Sequence, residues 1–283
     1  MKKNNIHRFR KGLVTLLLAA SVAGSTAILT GCGKTGGGNN IKVGVCPGPY
    51  GDMFRDAITP VLEKKGYSVE IVEFSDYVQP DTALEDGEIN ANMFQNPIYL
   101  KTFNENHGTH LSWLVEIPTA GMGVYSNKYN SLADIPDGAE IAIPNDNTNI
   151  LRSLRVLESA GYLTLNPELD ATAVTLDDIK DNPHGYKFTE VSAEVLTTVL
   201  DSVDAAVING NYVLGAGLDL ADAVYLETVP DNYYNTITVR TEDKDTKLAQ
   251  DLIAAVHSDD FRNVIEDKEK FYWTFGRPDD YKL

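Results

Sequence analysis

The chain has 283 residues and a formal net charge of −17, from 41 acidic and 24 basic residues. Nucleic acid is therefore not an expected partner, because little here neutralises phosphate groups. The chain has two cysteines, Cys32 and Cys46. If Cys32 is acylated, Cys46 has no partner for an intramolecular disulfide, and stability has to come from an apolar core.

The first 31 residues have the pattern of a lipoprotein signal peptide. Five lysines and arginines precede an apolar run from Leu13 to Leu29, without an acidic residue among them. The run ends in Leu29-Thr30-Gly31-Cys32, which resembles the lipobox of bacterial lipoproteins, where the cysteine receives a diacylglycerol and the signal is cut just before it. We therefore predict a signal peptide at 1–31 and a lipidated Cys32. An ordinary signal peptide and an uncleaved signal anchor are the alternatives.

Residues 32–40 are rich in glycine and small polar residues, which predicts a flexible tether. Two or three acyl chains anchor a protein stably. No long apolar run recurs after the signal. The prediction is a body held on the extracytoplasmic face of the cell membrane by its lipid, with a formal charge near −22 once the five signal cations are removed.

From residue 41 onward, strand and helix patterns alternate. Strands are predicted at 41–45, 68–74, 89–94, 139–143, 188–191, 204–208 and 236–239, and an extended segment at 113–125. Helices are predicted at 52–65, 81–86, 98–107, 148–160, 195–202 and 246–257, with a helical turn in 176–182. This alternation predicts an α/β fold with parallel-rich sheets in two lobes, the first from 41–125 plus 235–283 and the second from 126–234.

Polar clusters follow several of these predicted strands. They are Pro47–Tyr50, Ser75–Tyr77, Gln95 with Asn96, Asn145–Asn149 and Asn209–Tyr212. Ligands of open α/β sheets bind beyond the carboxyl ends of the strands. A cleft between the lobes would gather these clusters at one ligand site.

Several longer stretches resemble one known family. They are 41–45 with 47–49, 70–80, 83–84 and 86–89 with 91–92, 122–123 with 125–126, 141–146, and 204–212 with 216–218. In order and spacing they resemble the methionine-binding lipoproteins of bacterial ABC importers, also called NlpA-type lipoproteins. The resemblance implies a two-lobe periplasmic-binding-protein-like fold of type II, which closes on free methionine in the cleft between its lobes.

The resemblance also implies which side chains bind the ligand. An arginine and asparagines hold the α-carboxylate and α-ammonium, while aromatics and a histidine line the side-chain pocket. Carried over to matching positions, the predicted ligand-binding residues are Tyr77, Phe94, Asn96, Tyr99, Asn149, Arg152, Asn209, Asn211 and Tyr234. Asn96 stands where the family has histidine. The pocket is thus open to a more polar ligand than a thioether, unless the amide keeps only the hydrogen bond that histidine made.

Simpler structural roles are open for the same residues. Arg152 is placed to pair with Asp146 or Glu158 on a helix surface, and Asn149 to cap that helix. Asn209 and Asn211 are suited to capping a turn, and the aromatics to packing in a core.

The sequence gives little support to an enzyme. None of the five histidines forms a metal-binding pair such as H-E-x-x-H, and no G-x-S-x-G or phosphate loop occurs. No cofactor or metal is expected.

The predicted function is that of a monomeric substrate-binding lipoprotein of an ABC importer. It would capture a small amino acid, L-methionine foremost, and deliver it to a membrane permease with its ATPase. The alternatives are a receptor for another amino acid or a methionine-containing dipeptide, and a surface lipoprotein for adhesion or sensing without a transport role.

Overall fold

A computed structural model of the chain describes residues 39–282. The predicted signal peptide, the lipidated Cys32 and most of the tether lie outside the described residues. The predicted tether end at residue 40 needs correction, because the first strand begins at Asn39, which pairs with Tyr67. The described residues belong to one compact unit.

The described part of the chain alternates between strands and helices, as predicted. The strands are β1 (Asn39–Val45), β2 (Tyr67–Glu73), β3 (Ala91–Gln95), β4 (Leu111–Glu116), β5 (Gly123–Tyr125), β6 (Glu140–Pro144), β7 (Thr164–Leu165), β8 (Ile179–Asp181), β9 (Lys187–Val191), β10 (Ala205–Ile208), β11 (Tyr225–Leu226) and β12 (Thr236–Arg240). The α-helices are α1 (Pro49–Met53), α2 (Thr59–Lys64), α3 (Gln79–Glu85), α4 (Pro97–His107), α5 (Asn147–Ser159), α6 (Leu196–Val199), α7 (Gly210–Gly215), α8 (Lys247–Val256) and α9 (Asp259–Ile265).

The first sheet contains five strands in the order β2-β1-β3-β12-β4. β1 is parallel to β2 and β3, whereas β12 is antiparallel to β3 and β4. β12 therefore enters this sheet from a distant part of the chain, after the second sheet is complete.

The second sheet also has five strands, in the order β11-β5-β10-β6-β9. β6 is parallel to β9 and β10, and β5 is antiparallel to β10 and β11. β10 and most of β6 are fully buried, as expected for strands covered on both faces.

Two crossover segments, residues 117–122 and 227–235, connect the two sheets. They run side by side, because the backbone N–H of Ile117 donates to the carbonyl of Asn235 at 2.8 Å and that of Glu227 to the carbonyl of Met122 at 3.0 Å. We propose that each sheet is the centre of one lobe. The predicted lobe boundary after residue 125 then shifts upstream, because β5 pairs with the second sheet.

A long helical stretch covers the first sheet and needs a local adjustment. Pro60 lies near the start of α2 and cannot donate a backbone hydrogen bond. The chain forms a π-helical turn at Phe54–Ile58 directly before it, which joins α1 to α2. Phe261 of α9 is buried in the same apolar cluster as Phe54, so the C-terminal helices complete this lobe.

Candidate functional site

A cavity lies between the two sheets, at the ends of their strands. Its walls come from segments that follow β1, β2, β3, β6 and β10, and from both crossover segments. The lining residues are Tyr50, Tyr77, Phe94, Gln95, Asn96, Tyr99, Thr119, Ala120, Asn149, Arg152, Asn209, Gly210, Asn211 and Asn235. The structure confirms the prediction that the polar clusters after these strands gather in one cleft.

Eight of the nine predicted ligand-binding residues line this cavity. Tyr77 follows β2, and Phe94, Asn96 and Tyr99 lie at the end of β3 and the start of α4. Arg152 and Asn149 come from the first turns of α5, and Asn209 and Asn211 from the start of α7. Their position is structural, and a role in binding remains a prediction.

Tyr234 is the predicted site residue that does not line the cavity. Its ring is buried with Val229 and Tyr233, against Gly276. The next residue, Asn235, lines the cavity instead.

Arg152 lies at the deep end of the cavity and pairs with Glu227. The side chains are 5% and 6% exposed, and both Nε and Nη2 of Arg152 donate to Oε1 of Glu227. The partners expected from the sequence, Asp146 and Glu158, are engaged elsewhere: Asp146 caps α5, and Glu158 pairs with Arg155. The hydrogen bonds of Arg152 to Glu227 use Nε and Nη2 and leave Nη1 without a hydrogen-bond partner among the described residues.

Glu227 belongs to the second crossover segment and also binds the first. Its Oε1 accepts a hydrogen bond from the backbone N–H of Met122 at 2.7 Å. Burial alone would lower the pKa of the Arg152 guanidinium, but the adjacent Glu227 carboxylate raises that pKa above its usual value. Arg152 therefore stays charged, and Glu227 fixes its orientation.

Asn149 positions Asn209 through a chain of hydrogen bonds. Asp146 caps α5 by accepting from the backbone N–H of Asn149 at 2.9 Å, and the Asn149 side-chain amide donates to the same carboxylate. The cap of this helix is thus Asp146, where the sequence had offered Asn149. Oδ1 of Asn149 then accepts from Nδ2 of Asn209 at 2.8 Å.

The remaining polar atom of Asn209 has no partner. Its Oδ1 is buried and accepts no hydrogen bond from the described residues. A buried acceptor without a donor is unfavourable by about 1–3 kcal/mol. A donor supplied by a ligand, such as an α-ammonium group, would satisfy it.

Three rings, Tyr77, Phe94 and Tyr99, form an aromatic wall of the cavity. Tyr77 stacks on Phe94 with centroids 5.8 Å apart and meets Tyr99 edge to face at 5.8 Å. Burial raises the pKa of Tyr77 and Tyr99 well above the usual value, so both phenols stay neutral. The wall offers an apolar surface of the kind that binds an unbranched side chain.

Asn211 connects the two lobes. Its Oδ1 accepts from the Tyr77 hydroxyl at 2.7 Å, and its Nδ2 donates to the carbonyl of Pro47 at 3.1 Å. At the same contact, a Cβ on Gly48 would lie 2.3 Å from the backbone oxygen of Asn211. Glycine is thus required for the lobes to approach this closely.

Several lining residues were missed by the sequence reasoning. Tyr50 ends a cluster that was recognised, and Asn235 directly follows the predicted Tyr234. Thr119 lies in a crossover segment without a motif, although its Oγ1 accepts from the backbone N–H of Asn235 at 2.7 Å. Glu227 had no local signal, because its partner is far away in the sequence.

The described residues hold no group of three or more histidine, cysteine, aspartate or glutamate side chains arranged to bind a metal. Cys46 is buried, and its pKa is raised well above the usual value, first by burial and then by Asp81 and other nearby acids. Its thiol is therefore held neutral. None of the helices in residues 39–282 combines the length and apolarity needed to cross a membrane.

Comparison with known protein families assigns this chain to one of them. The model of the NlpA lipoprotein family matches residues 41–273, which is most of the chain. The chain belongs to the NlpA lipoprotein family. This confirms the resemblance inferred from the sequence motifs.

Individual relatives of this chain align with it over nearly their full length. The D-methionine-binding lipoprotein MetQ of Salmonella typhi is 35% identical over 250 residues, covering 87% of this chain and 92% of the relative. A nutrient binding protein from Burkholderia cenocepacia, solved bound to methionine, is 37% identical with a TM-score of 0.78, covering 84% of this chain and 99% of that one.

A third relative confirms the fold class. A periplasmic substrate-binding protein of an ABC transporter from Coxiella burnetii is 34% identical with a TM-score of 0.78, covering 84% of this chain and 100% of that one. The predicted α/β fold of the periplasmic-binding-protein kind is therefore confirmed.

Proposed function

We propose that this lipoprotein is the substrate-binding component of an ABC importer, which captures an amino acid between its lobes and delivers it to a membrane permease. L-methionine is the proposed ligand. Membership of the NlpA lipoprotein family and the likeness to substrate-binding proteins support the class. The charged Arg152 and the unpartnered Oδ1 of Asn209, two residues that line one cavity, support an amino acid as the ligand.

The observation that carries the proposal is the unpartnered Oδ1 of Asn209 in the cavity that Arg152 also lines. An amino acid needs a cation for its carboxylate and an acceptor for its ammonium group. Nη1 of Arg152 is the free donor, and a guanidinium suits a carboxylate in charge and shape. Oδ1 of Asn209 is the free acceptor.

The aromatic wall then receives the side chain. A thioether makes favourable contacts with aromatic rings, and an unbranched chain fits beside stacked tyrosine and phenylalanine. The methionine found in the Burkholderia relative supports the same ligand here.

Capture follows from closure of the two lobes. A ligand that touches both lobes favours the closed arrangement, in which Tyr77 bonds to Asn211 across the cleft. The closed form is what the permease would receive. The protein binds and releases its ligand unchanged, so no enzymatic step is part of the proposal.

Calorimetric titration with L-methionine tests this proposal. The double variant Arg152→Met with Glu227→Gln removes the buried ion pair without leaving an unpaired charge, and we expect its affinity to fall by about 100-fold or more. Arg155→Ala, on the exposed side of the same helix, is the matched control and should bind like the wild type. Equal affinity in the double variant and the wild type would refute the assigned site.

A wild type that binds no amino acid would favour the alternative of a surface lipoprotein for adhesion or sensing. Binding of a methionine dipeptide in place of free methionine would favour the dipeptide receptor.

Lipid anchoring at Cys32 is a separate part of the proposal. Labelling of cells with a fatty-acid analogue should mark the wild type and leave Cys32→Ala unmarked, with the variant released from the membrane fraction. Cys46→Ala, at the buried cysteine, is the control and should stay labelled. Label on Cys32→Ala would contradict the predicted anchor.

A further inference from the structure

Two consecutive amide residues, Gln95 and Asn96, lie at the end of β3 and line the cavity together with the aromatic wall. They are 2% and 5% exposed, so water does not satisfy them freely. Each amide forms hydrogen bonds within the protein through one of its two polar atoms. The other polar atom of each amide is left over without a hydrogen-bond partner among the described residues.

In Asn96 the atom left over is a donor. Asn96 caps α4, with its Oδ1 accepting from the backbone N–H of Tyr99 at 2.9 Å. The Tyr99 donor fixes which end of the amide is oxygen. Nδ2 makes no hydrogen bond to a described residue, so an N–H group is free at the cavity.

In Gln95 the atom left over is an acceptor. Its Nε2 donates to Oδ1 of Asp81 and lies 3.3 Å from Oδ1 of Asn92. Asp81 is fully buried and also accepts from Nδ2 of Asn92 at 2.7 Å, so this network fixes the nitrogen end of the Gln95 amide. Its Oε1 is buried without a partner among the described residues.

We propose that Asn96 and Gln95 form a carboxamide subsite, through which the cavity binds L-glutamine with an affinity within about tenfold of that for L-methionine. The inference rests on the proposed function, because it requires Arg152 and Asn209 to hold the zwitterion. The glutamine and methionine side chains are both unbranched and similar in length. A carboxamide offers one carbonyl acceptor for Nδ2 of Asn96 and one N–H donor for Oε1 of Gln95.

The same subsite disfavours glutamate. A second carboxylate has no donor for Oε1 of Gln95, and the one cation among the described residues that line the cavity, Arg152, already pairs with Glu227. Methionine would enter, but it would leave the Asn96 donor and the Gln95 acceptor unpaired.

Competitive calorimetry with L-glutamine, L-glutamate, L-methionine and L-norleucine tests the subsite. Asn96→Asp is the central variant, because its carboxylate keeps the acceptor that caps α4 and replaces the free donor by an acceptor. We expect glutamine affinity to fall by about tenfold or more, with norleucine affinity changed much less. Asn96→Ser also keeps a capping oxygen and makes the same comparison if the aspartate variant does not fold.

Three outcomes would overturn the subsite while leaving the proposed function intact: glutamine more than tenfold weaker than methionine, glutamate as tight as glutamine, or equal losses for glutamine and norleucine in the Asn96 variants. If the wild type binds none of the four amino acids, the proposed function fails and the subsite fails with it.

Discussion

Asp81 is a buried acid that the cavity does not contact directly. It is fully buried, and burial raises the pKa of its carboxyl to about 7, although hydrogen bonds from Asn92 and Gln95 lower it. Both donors reach Oδ1, and Oδ2 has no partner among the described residues. An acid in this environment holds its proton at a pH where an exposed aspartate has lost it.

We predict that Asp81→Asn changes how stability depends on pH. An acid whose pKa rises on folding binds its proton more tightly in the native state, so wild-type stability should fall as the pH rises from about 5 to about 7. The asparagine keeps Oδ1 for both donors and does not ionise. From pH 5 to pH 8 the free energy of unfolding of the variant should gain about 2–3 kcal/mol relative to the wild type.

Denaturant unfolding at several pH values measures this difference. Parallel pH profiles for the variant and the wild type would contradict an ionisable, proton-retaining Asp81.

Some side chains at the candidate site could be predicted from the sequence, and others could not. Arg152, Asn149 and Asn209 lie in motifs, and the structure places all three at the cavity. Glu227 was missed, because a buried ion pair depends on how the two lobes assemble and leaves no local pattern. Tyr234 was chosen over Asn235, because the sequence does not show which residue of this crossover segment faces the cavity.

Helix α5 connects the fold to the site through its first turn. Its cap, Asp146, holds the backbone and side chain of Asn149, which in turn holds Asn209. Burial raises the pKa of the Asp146 carboxyl, although the Asn149 hydrogen bonds oppose that shift. The geometry of the helix start therefore sets the position of Asn209, the proposed acceptor for the ligand.

We expect Asp146→Ala to lower both stability and ligand affinity. Loss of a helix cap destabilises by about 1 kcal/mol, and Asn209 loses its fixed partner, so affinity should fall several-fold. Thr246→Ala is the matched control: Thr246 caps α8 by accepting from Ala249 at 3.3 Å, and no residue of α8 lines the cavity.

Thermal melting and calorimetry together separate the two effects. Stability should fall in both variants, and affinity in Asp146→Ala alone. An unchanged affinity in Asp146→Ala would show that the cap is merely structural.

The periodicity of apolar residues predicted most of the longer helices and strands, but it did not predict the shorter ones. The predicted helices at 98–107 and 148–160 correspond to α4 and α5 within one residue at each end. α7 was read as a turn, because six residues are too few to show a helical period. The segment 176–182 begins with a helical turn but continues as β8, which pairs with β7 in a two-stranded sheet.

Closure of the two lobes depends on one close contact between them. Gly48 has a φ of 120° and lies against the backbone of Asn211, beside the Tyr77–Asn211 hydrogen bond. A side chain at this position would hold the lobes apart.

We predict that Gly48→Ala lowers ligand affinity by about tenfold or more, because the added Cβ blocks closure and the positive φ is strained. Gly66→Ala is the control: Gly66 also has a positive φ, of 87°, but the space around it is open. It should destabilise the protein by about 1 kcal/mol with normal affinity. Calorimetry and small-angle scattering with and without ligand measure both effects, and normal closure of Gly48→Ala would contradict this role.

The arrangement of the two sheets was harder to predict than their content. The alternation of strands and helices gave the α/β class, and the family motifs gave two lobes. The return of β12 to the first sheet fits the predicted second segment from residue 235. The sequence did not show which sheet β5 belongs to, because a strand of three residues between two sheets has no pattern that distinguishes them.

The ion pair of Arg152 and Glu227 also affects which ions the cavity binds in the absence of its ligand. An arginine alone in a cavity would attract chloride, sulfate or phosphate from the surroundings. Here an internal carboxylate already neutralises the guanidinium, and the acceptor of Asn209 repels simple anions. A solute that carries both a positive and a negative charge binds favourably in this cavity. A simple inorganic anion carries no positive charge and does not. The proposed site would therefore stay open to an amino acid in the presence of inorganic anions.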